Sequence, residues 1–585
     1  MIHVVARDAE SLFGVTTILD TERVPHGMVA TAGDLPLVAG RATAADLDAL
    51  ACRRALVLHG GASAARALLG AADATDEERT VALPVTDALW RPDVVAQARA
   101  AGVTTLTVPA APICSIARTV QGRVLGSLVD GTPAIVERDG ILWSAVDLGA
   151  AFTRLLTEHA VPAHHEATSA SAARQAARRL VEHVYYAAPE ALRRQVQRRW
   201  YETLERRLAA LGEAASSYPI EPTGWLLAEL LLGLVQRASG GLVRIARWPS
   251  PYGAAATLTH DIEPRRFAYT RGLAALLESV DAIGHPATFG LVAQASTRWL
   301  EAPAVSRLGA HGVLCHGLAH RGENVCGRDD VRRDVETART ELERRLGRTV
   351  RGYRSPRLDR SPDLAWALDQ AGFAFDSSYP DVDRENIAHF GGGVRVNVPY
   401  RPPLATAAGE LRPSRCLELP LTAPDCIQPL FAGTAVAELR ATVAAKAAHL
   451  RAIGGLYVAL VHGGVFGEHD RARRAAHLEF VAAELRHPDV WLASAADVAD
   501  WWCRREALRL TGGTESPRIV NEGSETVTGV RVIVDRDGSQ RTIDLPPLAP
   551  GSTVLVGTAA VGTAPARWTG TAGAAKAPAR ATPAA

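Results

Sequence analysis

The sequence lacks several features, and each absence excludes a class of protein. Its 64 lysine and arginine residues nearly balance its 63 aspartate and glutamate residues, so the formal net charge is +1. A charge this small gives no electrostatic case for binding nucleic acid. Lysine occurs only at Lys446 and Lys576, a scarcity that we interpret as genome composition rather than function.

Cysteine is scarce and has no regular spacing. The seven cysteines are scattered, odd in number and without a CxxC pair, which argues against a disulfide framework. Cys315 stands beside His316. Because adjacent residues face different ways on a helix or strand, we predict a packed thiol there rather than a metal ligand.

Long hydrophobic runs are also missing. The first twenty residues contain four charged side chains and lack the basic start and apolar centre of a signal peptide. The most apolar helix predicted, residues 225–235, is too short to cross a membrane and contains Glu229. We therefore predict a cytoplasmic protein with no membrane span.

The length of 585 residues predicts several domains, and 47% hydrophobic content is typical of globular proteins. Residues 1–160 predict an α/β domain whose role the sequence does not reveal, and residues 165–245 a helical connector. Residues 249–505 again alternate strand and helix. Residues 508–558 alternate apolar and polar positions, which favours a small immunoglobulin-like β-sandwich, and residues 559–585 predict a disordered tail.

Within residues 1–160, the apolar runs 55–58, 81–85 and 105–108 are typical of buried strands. Residues 91–101 have the pattern of a helix between two of them. Such alternation favours a parallel sheet.

Two short segments concentrate acids and histidines that can bind a metal or transfer a proton. They are Thr259-His-Asp-Ile-Glu263 and His316-Gly-Leu-Ala-His320. On a helical turn, histidines four apart share a face, and on a strand Asp261 and Glu263 share one. Two imidazoles with one carboxylate suit a catalytic zinc or similar divalent ion, and the second carboxylate can then act on a proton. Each motif alone is common, and Asp-x-Glu is more often a cap or a solvated turn.

Three further segments follow in order. They are Arg354-Ser-Pro356, Asp376 after an apolar run, and His462 at the end of the apolar run 456–461. Asp261, Asp376 and His462 each follow a predicted strand. This is the position of catalytic residues in barrel-like α/β folds.

As an ordered set, the motifs between about 249 and 502 resemble those of the NodB-homology polysaccharide deacetylases, carbohydrate esterases of family four. The family motifs are TFDDG or variants such as THDxD, H[ST]xxH, RxPxx, an aspartate near a strand end, and LxH. They correspond here to residues 259–263, 316–320, 354–357, Asp376 and 460–462.

The resemblance implies a distorted (β/α) barrel that hydrolyses N-acetyl groups of an N-acetylated sugar in a polysaccharide or glycoconjugate. It implies that Asp261 is the general base, that Arg354 orients it, and that His462 is the general acid, with Asp376 in support. Candidate substrate contacts are Pro356 and Glu418. The implied ligands of a divalent metal, with zinc the expected ion, are Glu263, His316 and His320.

Three positions depart from the family pattern. Glu263 stands where the metal carboxylate is usually aspartate, Ile262 separates the two acids, and Gly317 replaces a serine or threonine. Two alternatives therefore stay open. One is a C–N hydrolase acting on a small non-sugar amide, and the other is an inactive carbohydrate-binding or scaffolding protein. The sequence does not give the oligomeric state.

Overall fold

The computed structural model describes most of the chain. The described residues are 1–29, 34–48, 50, 54–116, 120–156, isolated positions between 188 and 206, 221–320, 328–358, 360, 362–381, 393–423, 435–462, 481–536 and 539–557. Among the helices in these ranges, none has the length and apolar character needed to cross a bilayer. The predicted tail 559–585 lies outside the described residues.

The N-terminal part contains nine strands and five helices within its described residues. The strands are β1 (Ile2–Ala6), β2 (His26–Gly27), β3 (Leu35–Arg41), β4 (Ala55–Gly60), β5 (Thr75–Pro84), β6 (Thr105–Ser115), β7 (Arg123–Ser127), β8 (Pro133–Arg138) and β9 (Ile141–Ser144). The helices are Ala9–Thr21, Ala44–Asp48, Gly61–Leu69, Pro92–Ala100 and Leu148–Leu156.

Seven of these strands form one sheet in the order β2-β1-β3-β4-β9-β8-β7. The first five run parallel, and β8 and β7 continue the sheet antiparallel. The apolar runs 81–85 and 105–108 were expected in the parallel sheet, and this prediction is wrong. They belong to β5 and β6, a separate antiparallel pair. The first half of β5 is largely exposed, and antiparallel strands tolerate that exposure better than parallel ones.

The predicted connector 165–245 lies largely outside the described residues. Residues Thr223–Ser239 form a helix whose leucines are buried. Residues 241–245 do not continue it. They form the strand β10 (Gly241–Ile245), because Gly240 ends the helix in a left-handed conformation with φ of 79°.

The next part of the chain alternates strands and helices. Its strands are β11 (Ala254–Ile262), β12 (Ala287–Leu291), β13 (Gly312–Cys315), β14 (Gly352–Tyr353), β15 (Phe375–Asp376), β16 (Pro403–Ala405), β17 (Leu411–Pro413), β18 (Leu417–Glu418), β19 (Leu456–Leu460) and β20 (Val490–Leu492). Its described helices are Leu273–Ile283, preceded by the π-turn Ala268–Gly272, then Ala293–Trp299, Ala302–Leu308, Arg328–Leu346, Pro362–Ala371, Val436–Ile453 and Ala495–Glu506, with a 3-10 turn at Pro356–Leu358.

Eight of these strands form a parallel sheet in the order β18-β15-β14-β13-β12-β11-β19, with β20 also paired to β11. The sheet curls until its two edges meet. Ala423, just beyond β18, forms a parallel bridge with Ala459 of β19. The Ala423 amide donates to Val458 O at 3.0 Å, and Leu460 N donates to Ala423 O at 3.0 Å. The described strands between residues 254 and 492 thus form a curled, barrel-like α/β sheet, as expected.

The strands at the centre of this barrel are buried throughout. Every residue of β11, β12 and β19 is buried, as parallel strands require when helices cover one face and packed side chains fill the other. The acids and histidines of the candidate site occur at or just beyond the carboxyl ends of the strands. Since all the strands run in the same direction, those ends meet at one rim of the barrel.

The C-terminal part is built of strands. These are β21 (Leu508–Thr511), β22 (Arg518–Asn521), β23 (Arg531–Arg536), β24 (Ser539–Asp544) and β25 (Thr553–Leu555). One three-stranded sheet has the order β21-β22-β25, and the other has the order β10-β23-β24. The strand that precedes the barrel therefore shares a sheet with two strands that follow it.

Candidate active site at the carboxyl rim of the barrel

The candidate residues collect at the carboxyl rim of the barrel. Asp261 is the second-to-last residue of β11, and Glu263 follows that strand directly. His316 follows β13, Arg354 follows β14 and His462 comes two residues after β19. Neighbouring strands in register carry these residues to the same level, because Asp261 pairs with Gly290 and Cys315 pairs with Tyr353.

The two histidines of HxxxH do not lie on a helix, and that part of the prediction is wrong. Residues 316–320 form a bent loop in which Gly317 has φ of 78° and His320 has φ of 59°. The loop is held by its backbone, since the amides of Ala293 and Gln294 donate to the carbonyls of Gly317 and Leu318. The rings of His316 and His320 still meet, with centroids 5.0 Å apart.

The donor atoms of the predicted ligand set converge. His320 Nε2 lies 3.8 Å from Glu263 Oε2, and His462 Nε2 lies 3.6 Å from Glu263 Oε1. His316 Nε2 lies 3.8 Å from Asp261 Oδ2. Burial disfavours the charged form of Glu263, but His320 and His462 outweigh it and hold the pKa of that carboxyl below its ordinary value.

The chemistry of these side chains fits a divalent metal. Within the ranges that the structure describes, no three histidine, cysteine, aspartate or glutamate side chains are already arranged around an ion position. However, two ligands of a tetrahedral zinc lie about 3.4 Å apart. The His320–Glu263 separation of 3.8 Å is close to that spacing, so small side-chain rotations suffice.

His316 has a nitrogen available for such an ion. Its Nδ1 lies 3.0 Å from the Arg354 carbonyl, which can only accept, so Nδ1 carries the proton. Its Nε2 is buried and has no hydrogen-bond partner among the described residues. Burial lowers the pKa of His316, which favours the neutral ring that binds metals.

Arg354 connects the candidate base to the barrel. It is fully buried, and its Nη1 donates to Thr259 Oγ1 at 2.7 Å and lies 3.4 Å from Asp261 Oδ1. Its Nε and Nη2 donate to the carbonyl and hydroxyl of Ser377, each at 2.8 Å. Burial disfavours the Asp261 carboxylate, but His316 and Arg354 outweigh it and lower the pKa of Asp261.

Gly290 is a residue of the site that motif reasoning missed. It lies on β12 opposite Asp261, and a Cβ at this position would lie 2.5 Å from Asp261 Oδ1. The carboxylate therefore occupies the space that a side chain at 290 would fill. The signal was a glycine inside a buried strand, which often marks a close approach.

The remaining candidate residues, Asp376, Glu418 and Pro356, are buried inside the protein. Asp376 is 4% exposed, and its carboxylate accepts from Ser377 N at 2.8 Å and from Ser378 Oγ at 2.5 Å. Glu418 has no exposed surface, and Tyr379 N donates to it at 3.1 Å. Pro356 is buried at the start of its 3-10 turn.

Cys315 has no exposed surface, as expected of a packed thiol, and its exclusion from the metal ligands stays a prediction. Cys114, Cys315, Cys416 and Cys503 form no disulfide within the described part of the chain. Cys52, Cys326 and Cys426 lie outside the described residues.

Comparison with known proteins identifies part of the chain. Residues 251–375 match the family model described as polysaccharide deacetylase. No curated protein matches the chain.

Several solved structures are similar to part of this chain. A Mycobacterium smegmatis protein with a provisional assignment as a polysaccharide deacetylase is 22% identical, with 46% of this chain and 96% of that chain covered and a TM-score of 0.35. A Pseudomonas aeruginosa PAO1 protein with the same provisional assignment is 17% identical, with 44% and 94% covered and a TM-score of 0.36. Puue allantoinase is 16% identical, with 44% and 93% covered and a TM-score of 0.34. Scores at this level carry no argument about chemistry.

Proposed function

We propose that this protein removes N-acetyl groups from an N-acetylated sugar of a polysaccharide or glycoconjugate, since residues 251–375 match the family model described as polysaccharide deacetylase. One observation carries the proposal. Two carboxylates and three histidine rings converge at the carboxyl rim of the barrel, with separations of 3.6 to 3.8 Å between their nearest N and O atoms.

Asp261 is the proposed general base. Amide hydrolysis needs a group that takes a proton from the attacking water, and a carboxylate can do so when it is ionised and correctly oriented. The lowered pKa of Asp261 keeps it ionised at neutral pH. Arg354 holds one carboxylate oxygen, at 3.4 Å, and leaves the other directed toward His316, at 3.8 Å.

His462 is the proposed general acid. The leaving nitrogen must be protonated as the amide bond breaks, and histidine titrates close enough to neutral pH to give up a proton there. The His462 side chain is 16% exposed, so it remains within reach of a substrate that enters from solvent. Glu263, 3.6 Å from its Nε2, stabilises the charged ring that donates the proton.

Glu263, His316 and His320 would hold the metal, with zinc favoured by two imidazoles and a carboxylate. When bound, such a divalent cation lowers the pKa of water and polarises the carbonyl oxygen of the amide. The residues of the chain then bind the cation, orient the base and deliver the proton. The extra methylene of Glu263 lets its carboxylate reach toward both His320 and His462.

The test measures acetate release from N-acetylglucosamine oligomers, with and without a chelator and added zinc or cobalt. Asp261→Asn should lower kcat by about 10²- to 10⁴-fold with metal content unchanged, because it removes the base and no ligand. His316→Ala should lose the metal. The exposed His487 supplies the matched control, since His487→Ala should keep both metal and activity.

The outcomes separate the alternatives. Activity confined to small amides, including the allantoin after which Puue allantoinase is named, would replace the sugar substrate by a non-sugar amide. Bound metal without turnover on any substrate would favour a carbohydrate-binding protein. A near wild-type rate for Asp261→Asn would contradict its role as base.

A further inference from the structure

Two acids lie side by side behind the candidate active site. Asp376 on β15 pairs in register with Glu418 on β18. Residues paired on neighbouring parallel strands project to the same face of the sheet. Asp376 is 4% exposed and Glu418 is 0% exposed, so the two carboxyl groups share a nearly dry space.

The hydrogen bonds of this pair leave one buried carboxyl oxygen without a donor among the described residues. Asp376 Oδ1 accepts from Ser377 N and Ser378 Oγ, and Glu418 Oε1 accepts from Tyr379 N. Glu418 Oε2 is buried and finds no donor among the described residues. A carboxylate oxygen can only accept, whereas a carboxylic acid also donates. Protonated, Glu418 can donate to Asp376, and its buried oxygen is then satisfied.

Burial favours the protonated form of both carboxyl groups. It raises the pKa of Glu418 well above its ordinary value, and the neighbouring Asp376 adds to the effect. Burial also raises the pKa of Asp376, to about 6. Two carboxyl groups this close titrate as a unit and hold one proton between them over a wide pH range.

The pair is connected to the candidate base through two serines. Asp376 fixes the Ser377 amide and the Ser378 hydroxyl, and Ser378 Oγ also accepts from Ser355 N at 2.8 Å. The carbonyl and hydroxyl of Ser377 hold the guanidinium of Arg354. Arg354 in turn contacts Asp261.

We propose that Asp376 and Glu418 are positioning residues, which share a single proton and so place one negative charge behind Arg354 while fixing the serines that aim its guanidinium at Asp261. The proposal rests on the proposed function in that Asp261 is the base. It assigns Glu418 to the interior of the barrel rather than to the substrate, and Asp376 to Arg354 rather than to His462.

The surroundings of the pair define its pH response. Arg354 is the cation that acts on both acids. Cys416 lies two residues before Glu418, and burial raises its pKa well above the ordinary value, so it stays neutral. The backbone of Tyr400 forms an antiparallel bridge with that of Glu418. Loss of the shared proton would therefore leave two buried negative charges facing one guanidinium.

The sign of the effect on stability follows from the raised pKa values. Between the ordinary glutamate pKa and the raised one, the folded protein binds a proton that the unfolded chain has released. The contribution of the pair to stability is therefore fully present at acidic pH. It declines as the pH rises through the folded pKa of the pair.

The experiment compares Glu418→Gln, Glu418→Leu and the exposed control Glu410→Gln. The amide of Glu418→Gln still donates to Asp376 but cannot lose a proton, whereas Glu418→Leu removes the donor. We expect Glu418→Gln to keep at least about ten times the kcat of Glu418→Leu, with KM for the N-acetylglucosamine oligomer changed less than about twofold in both. Loss of the shared proton should contribute to a decline of kcat at alkaline pH in the wild type, and this contribution should be absent in Glu418→Gln.

Urea unfolding between pH 5 and 9 provides a readout that does not depend on activity. The difference in urea midpoint between wild type and Glu418→Gln should shift steadily with pH, while Glu410→Gln should follow the wild type. Parallel wild-type and Glu418→Gln curves would overturn the shared proton, even if the deacetylase assay succeeds. Conversely, failure of the deacetylase assay with a pH-dependent difference would overturn the proposed function and leave the proton pair standing. Wild-type kcat in Glu418→Leu would overturn the positioning role.

Discussion

Side-chain spacing predicted the residues of the site better than their local structure. The order of Asp261, Glu263, His316 and His320 was sufficient to expect a meeting of carboxylates and imidazoles. The spacing of four residues suggested a helical turn, but the same spacing fits a loop in which Gly317 and His320 are left-handed. Backbone conformation of this kind depends on hydrogen bonds to Ala293 and Gln294, which a motif does not reveal.

The close approach of Gly290 to Asp261 gives a prediction for a single residue. In Gly290→Ala the new Cβ, 2.5 Å from Asp261 Oδ1 and 3.1 Å from Leu314 Cδ1, must displace the carboxylate from Arg354. Displacement of a catalytic group by about 1 Å can cost about 10²-fold in rate. We therefore expect kcat for acetate release to fall about 10- to 100-fold, with metal content unchanged.

Gly513→Ala is the matched control for this substitution. A Cβ added at Gly513 would have no neighbouring atom within 4 Å, and this glycine does not adopt a left-handed conformation. Its kcat should equal that of the wild type. A Gly290→Ala variant as active as this control would show that Asp261 tolerates displacement and is not the base.

At the level of elements, the long helices and buried strands were predictable and the shortest strands were not. The helix Pro92–Ala100 lies within the predicted range 91–101, and Pro92 stands in its first turn, where proline is favoured. β14, β15 and β18 contain two residues each. That length is too short to produce a periodic pattern, so the pairing of Asp376 with Glu418 was invisible in the sequence.

The helix Ala495–Glu506 supplies a prediction for an element. Its start is a capping box, in which Ser494 Oγ accepts from Asp497 N and Asp497 accepts from Ser494 N, each at 3.2 Å. Ser494→Ala should lower the free energy of unfolding by about 1 kcal/mol. Ser494→Thr, which keeps the hydroxyl, should lose less than half of that in the same urea titration.

The activity of Ser494→Ala should stay close to that of the wild type. The reason is its place in the barrel. The neighbouring Ala495 amide donates to Thr288, which lies near the start of β12, while the candidate site lies at the opposite ends of the strands. A large loss of kcat would instead indicate that this helix supports the site.

For the whole molecule, the contacts between distant segments could not be read from sequence. Glu22, in the N-terminal part, is 2% exposed and pairs with Arg244 and Arg247, more than two hundred residues away. Burial raises its pKa, but Arg247 and Arg244 outweigh burial and lower the pKa to about 2. Nothing local in composition or periodicity identifies such partners.

Glu22→Gln should destabilise the whole protein at pH 7. Removal of one partner from a buried charge cluster leaves the other uncompensated and costs about 3 to 5 kcal/mol. Since the folded pKa of Glu22 is lowered from 4.5 to about 2, its contribution is present above pH 4.5 and is lost as the pH falls toward 2. The measurement is the free energy of urea unfolding at pH 7 and at pH 3.

Glu515→Gln is the control for Glu22→Gln. Glu515 is exposed and pairs with Arg536 at the surface, at 2.9 Å, where an ion pair contributes about 0 to 1 kcal/mol. Equal effects of the two substitutions would contradict a buried charge cluster that joins the N-terminal part to β10.

The antiparallel pairing of β10 with β23 has a consequence for the integrity of the chain. Five residue pairs join Gly241–Ile245 to residues 532–536, so the segments that enter and leave the barrel are hydrogen-bonded to each other. A protease that cleaves one loop of the barrel would therefore leave two fragments that remain associated through this strand pairing. The cleaved protein would elute from a sizing column like the intact protein, and a denaturant would be needed to separate the two fragments.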